Sequence, residues 1–148
     1  MMEDAAMQRQ AQIFTRTLCG AALLGALAAC QTSEPPGGTL SAQVQGTSPV
    51  SALQRINDRA LECWIKSDDA AFDGLALVPE LDSRANDPRI LIVRRGQAQG
   101  LPQLVITASG TPVKLNTFGP LTGQGISNRI NADITAWSAG ATGCGTRA

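Results

Sequence analysis

The chain has 148 residues, in which twelve Lys plus Arg balance twelve Asp plus Glu, and it has neither His nor Tyr. Neutrality argues against a nucleic-acid partner, which calls for a basic footprint. Without His, and with four cysteines none of which form a CxxC pair, the chain lacks the ligand set of a zinc site. No metal and no cofactor are expected.

Taken in chain order, the first feature is a segment with Arg9 and Arg16 followed by an apolar run of Leu, Ala, Gly and Cys19 over residues 18–29. The run is too short for a membrane-spanning helix, which needs about 20 residues. A positive stretch, a short apolar run and small residues at its end form the layout of a secretory signal. Glu3 and Asp4 are unusual in such a positive region, and Met7 offers a cleaner start than Met1. Leu27-Ala28-Ala29-Cys30 closes the run and resembles the lipobox of bacterial lipoprotein precursors. The resemblance covers about 20 residues and does not extend into the rest of the chain. It implies that Cys30 receives a diacylglyceryl group, that residues 1–29 are removed, and that the new N-terminus is acylated. Gln31, where a retention signal would place Asp, implies the outer membrane, with the protein facing the periplasm. The partner implied by this anchor is the membrane itself, and several acyl chains exceed what stable anchoring requires.

Residues 31–47 contain Pro, Gly, Ser, Thr and Gln without periodicity, so residues 30–47 read as the lipidated cysteine and a flexible tether. Residues 48–148 then form one domain. Its only aromatic residues are Trp64, Phe72, Phe118 and Trp137, so the core must be built largely from Leu, Ile, Val and Ala. Ser48-Pro49 suits a helix start. Leu53, Ile56, Ala60 and Cys63 follow at helical spacing, with Trp64 beside them and Arg55, Asp58, Arg59, Glu62 and Lys66 on the other face. Ser67-Asp68-Asp69 ends this helix.

Four strands are expected next. Residues 72–81 include Leu75, Leu77 and Val78, and Pro79 places that strand at an edge. Ile90-Leu91-Ile92-Val93 reads as a central strand within residues 89–95. Leu104, Ile106 and Ala108 alternate around Val105, and Val113, Leu115 and Thr117 alternate with Lys114 and Asn116. Short connections make these four an antiparallel meander. Ile126, Ile130, Ile134 and Trp137 then mark a second helix over residues 124–138, stopped by Gly140. Asn128, Arg129, Asn131 and Asp133 fall off its apolar stripe and read as its solvent side. The expected fold is α+β, in the order α-β-β-β-β-α, with both helices on one sheet face and Trp64 and Trp137 at their contact.

With Cys19 removed and Cys30 acylated as the resemblance implies, Cys63 and Cys144 remain. In an oxidising periplasm such a pair reads as a disulfide, with two separate buried thiols as the alternative.

No constellation of catalytic residues stands out. Thr111-x-x-Lys114 is a distant echo of a nucleophile pair, but residues three apart on a strand face opposite sides. Asp68, Asp69 and Asp73 lack the ligand alternation of a calcium loop. The glycines of residues 119–125 precede a helix without the lysine of a phosphate loop. Arg94 and Arg95 end the second strand. Leu91 and Val93 oppose Ile90 and Ile92, and Val105 opposes Leu104 and Ile106, so both faces of the middle strands are apolar. A sheet with one wet face does not require this. Leu91, Val93, Arg94, Arg95 and Val105 are therefore the expected contact surface for an envelope protein or for a second copy. The expected function is that of a non-catalytic accessory or scaffold lipoprotein. A small-ligand or lipid-binding module is the first alternative, and an enzyme working without histidine the second.

Overall fold

The computed structural model describes residues 37–82 and 87–145, so residues 1–36, which include the apolar run, Cys30 and Gln31, lie outside the described residues. Ser48 opens helix α1 (Pro49–Ala60), its hydroxyl accepting from the Ser51 backbone N–H at 3.1 Å. The helix continues into one wider, π-type turn over Leu61–Ile65, closed by the Lys66 N–H on the Leu61 carbonyl at 3.0 Å. Asp68 adopts the left-handed conformation that turns the chain away, at φ 52°. Asp69 then caps a short 3-10 helix, Ala70–Phe72, accepting from the Ala71 N–H at 3.1 Å. Phe72 thus belongs to a helical turn and not to the strand that follows.

The sheet has five strands, one more than the sequence reading expects, and every pairing is antiparallel. Strand β1 is Ser41–Val44, within the stretch read as tether. Strands β2 (Leu75–Glu80), β3 (Arg89–Arg94), β4 (Leu104–Ser109) and β5 (Val113–Phe118) form the expected meander. The spatial order is β1-β5-β4-β3-β2. β1 fits because β5 would otherwise leave an open edge of unpaired backbone groups. Ala42 and Val44 pair with Leu115 and Val113 and add to the apolar side, while Ser41 and Gln43 take the polar side. The Thr117 hydroxyl accepts from the Leu40 N–H at 2.7 Å, and Asn131 Nδ2 donates to the Gly37 and Gly38 carbonyls at 3.2 and 3.1 Å. The domain therefore includes residues 37–47, and its first packed residues lie about ten positions before Ser48.

Gly119 ends β5 at φ 125°, where a side-chain Cβ would come 2.7 Å from the Gln103 carbonyl oxygen. The glycine-rich segment after it forms a 3-10 turn, Pro120–Gly123, and helix α2 (Ser127–Ser138) starts later than its apolar stripe implies.

Register places Leu75, Leu77, Ile90, Ile92, Leu104, Ile106, Ala108, Val113 and Leu115 on one face. These residues form a single core cluster with Leu53, Ile56 and Ala60 of α1 and Ile130, Ile134 and Trp137 of α2, Leu77 packing at its margin. Both helices thus share the core with the same sheet face, as expected. Burying each large aliphatic side chain contributes about 1.5–3 kcal/mol. Trp64 stacks on Phe72 with centroids 4.8 Å apart and meets Trp137 at 5.0 Å. Cys63 and Cys144 are disulfide-bonded, their Cα atoms 5.3 Å apart. The tail leading to Cys144 is held further by Trp137 Nε1 donating to the Gly143 carbonyl at 2.8 Å and Arg55 donating to the Ser138 carbonyl at 2.6 Å.

Candidate interaction surface

Alternation along the strands sends Ala76 and Val78 of β2, Leu91 and Val93 of β3, Val105 and Thr107 of β4, and Asn116 and Phe118 of β5 to the face opposite the helices. The face is apolar along a diagonal from Val78 through Leu91 and Val105 to Phe118, since Leu91 pairs with both Val78 and Val105, and Val105 pairs with Phe118. The expected surface is only partly present. Val93 and Val105 are 1% and 5% exposed, so they contribute to packing rather than to contact. Both stand outside the helix-side core cluster. Leu91 and Val78 are half-buried, and Phe118 is 50% exposed. The accessible apolar side chains therefore sit beside the two middle-strand valines that the sequence reading selected, not on them.

Of the arginines read as contact residues, Arg94 and Arg95 are both exposed. Arg94 pairs with Leu75 and so belongs to the helix side of the sheet rather than to the open face. Arg95 lines a cleft of about 340 Å³ together with Asp68, Asp69, Asp73, Trp64 and Phe72. At the other end of the strand Arg89 pairs with Glu80 at 2.5 Å, an exposed contact.

The acidic residues at the end of α1 gain a structural account. Asp69 caps the 3-10 turn and takes an ion pair from Arg129 Nη1 at 2.6 Å. Arg129 lies over the Phe72 ring, 5.4 Å from its centroid, an attraction between a cation and the negative face of the ring. Asp133 Oδ2 accepts from Trp64 Nε1 at 2.8 Å and stands 3.7 Å from Arg129 Nε, an ion pair too long to be a hydrogen bond. Asp69, Arg129 and Asp133 are nearly buried, so this network staples α2 to the turn after α1. Read as solvent-facing, Arg129 and Asp133 are in fact part of the packing. The features that bear on it, neither of which the sequence reading used, are their i,i+4 spacing and the need of a buried indole N–H for an acceptor.

Thr111 and Lys114 are both exposed, on the β4–β5 turn and the start of β5. Among the described residues no group of three or more metal-ligating side chains gathers, and no helix is long and apolar enough to cross a membrane. Comparison of the chain with protein-family models, with curated proteins and with solved structures finds no match.

Proposed function

We propose that this chain is a lipid-anchored protein of the bacterial envelope, acylated at Cys30, that acts without catalysis by docking another envelope protein on the helix-free face of its sheet. The anchor is supported by Arg9, Arg16, the apolar run and Leu27-Ala28-Ala29-Cys30. The docking surface is supported by one observation above the others: Leu91 and Val78, adjacent on a face that no helix among the described residues covers, are apolar and remain partly accessible. Contiguous accessible apolar patches with a polar rim mark interaction sites. Ser41, Gln43, Thr107 and Asn116 give that face polar positions around the apolar diagonal, the arrangement of an apolar centre with a polar rim.

Crosslinking in intact cells followed by pull-down of the anchored protein tests this directly. The wild-type chain is expected to give a discrete adduct. Leu91→Glu is expected to abolish it, while the Cys63–Cys144 disulfide and the circular dichroism of the domain stay unchanged. An adduct that survives Leu91→Glu at wild-type yield places the contact elsewhere and overturns the assignment of the face.

A further inference from the structure

The two large apolar side chains most open to solvent among the described residues are Leu101 and Phe118, 89% and 50% exposed. They lie far apart in sequence, yet the sheet brings them to one end. Leu101 sits in the connection from β3 to β4, where the Gln103 N–H returns to the Ile92 carbonyl at 2.7 Å. Phe118 is the last residue of β5 and pairs with Val105, one residue into β4.

The chain also enters the domain at this end. Leu40 and Thr117 exchange hydrogen bonds, the N–H of Leu40 to the Thr117 hydroxyl at 2.7 Å and the N–H of Thr117 to the Leu40 carbonyl at 3.1 Å. Gly37 and Gly38 are fixed by Asn131 beside them. Seven peptide units separate Gly37 from Cys30, so even a fully extended connection reaches about 25 Å at most. That is less than the diameter of a domain of this size, whose radius of gyration is about 13 Å. Because β1 belongs to the sheet, the tether is far shorter than residues 31–47 would allow. A short tether keeps weakly binding side chains at a high effective concentration near the surface that holds it.

The opposite end of the sheet differs in kind. It carries the Ser109-Gly110-Thr111-Pro112 turn, the carboxylates Glu80, Asp82 and Asp87 and the cations Arg89 and Lys114, with no large exposed apolar side chain among its described residues. At the tether end, the exposed Arg94 and Arg95 and the Asp69-bound Arg129 stand against Asp68, Asp69 and Asp73, three charges of each sign that offset one another.

We propose that the tether end of the domain rests on the lipid surface that holds its anchor, with Leu101 and Phe118 entering the headgroup layer. The strands then run away from the bilayer, and the helix-free face stays open to a partner. This rests on the reading of Cys30 as the acylated residue. Because the local charges offset, the contact is apolar and insensitive to salt, unlike one made by a basic patch.

The test uses the mature acylated protein in vesicles of phosphatidylethanolamine and phosphatidylglycerol, with and without acyl-chain bromination. Phe118→Trp reports on the tether end and Thr111→Trp on the far end, each read against wild type, whose Trp64 and Trp137 are buried. The added emission of Phe118→Trp is expected to be quenched by brominated lipid at least about twofold more than that of Thr111→Trp, at low and high salt alike. Equal quenching of the two, in protein whose intact mass shows the acyl chains, overturns the contact and leaves the anchor standing. Quenching that salt abolishes overturns its apolar character. Protein whose mass shows no acyl chains overturns the anchor and this inference together.

Discussion

Replacing both members of the Cys63–Cys144 bond, as Cys63→Ala/Cys144→Ala, is expected to lower the stability of the domain by roughly 4–5 kcal/mol, since the bond closes a loop of 81 positions and restricts the unfolded chain. Stabilities of domains of this size are about 5–15 kcal/mol, so the loss would consume a large part of the total. In urea, the midpoint is expected to fall by about 1.5 M or more, given slopes of about 1–3 kcal/mol per molar. The folded tail keeps other attachments, because Trp137 still donates to the Gly143 carbonyl and Arg59 still reaches the Thr142 carbonyl at 3.4 Å. The double variant should therefore fold to the same structure with a lower midpoint. A midpoint equal to that of the oxidised wild type would show that the cross-link does not restrain the unfolded chain as supposed.

Asp133→Ala is expected to cost about 3–5 kcal/mol, because removing one member of a buried charged network strands the others. Trp64 Nε1 would lose its acceptor at 2.8 Å, and Arg129 would keep Asp69 and the Phe72 ring while its Nε loses the carboxylate 3.7 Å away. Asp133→Asn retains an acceptor for the indole and is expected to cost less, about 1–3 kcal/mol. Lys66→Ala, which removes an exposed i,i+4 pair with Glu62 at 3.0 Å, is expected to cost about 0–1 kcal/mol. Chemical unfolding of the three variants checks the ranking. An Asp133→Ala protein as stable as Lys66→Ala would mean that the network does not join α2 to the turn after α1.

The contrast between these two predictions shows where sequence reading succeeds. The spacing of Leu53, Ile56, Ala60 and Cys63 and of Ile130, Ile134 and Trp137 revealed the core faces of both helices, because burial imposes a helical period on apolar residues. The alternation in β3, β4 and β5 revealed which side chains face the helices for the same reason, with a period of two. β1 was not legible. It is four residues long, its inward side chains are only Ala42 and Val44, and Pro and Gly precede it. Its pairing depends on an edge supplied by β5, about 70 positions away. Arg129, Asp133 and Asp69 were hidden by their own polarity, since charged residues are buried only when a partner awaits them, and the partners come from three separate segments. Val93 and Val105 lie on the face opposite the helices and are buried there, because burial on that face depends on neighbouring side chains that strand periodicity does not encode. Among the apolar groups of that face, Val78, Leu91 and Phe118 remain accessible.

The proposed anchor at Cys30 is what ties the short connection before Gly37 to a membrane surface and places the chain in the envelope. Intact mass analysis of the protein extracted from membranes of a Gram-negative host tests it most directly, alongside Cys30→Ser. The account predicts a chain that begins at Cys30 and carries a diacylglyceryl group on its sulfur and an acyl group on its amine, and a Cys30→Ser chain that is neither cleaved nor acylated. An unmodified Cys30 in a chain that retains residues 1–29, or a Cys30→Ser chain still cut after Ala29 and still partitioning into detergent, would contradict it.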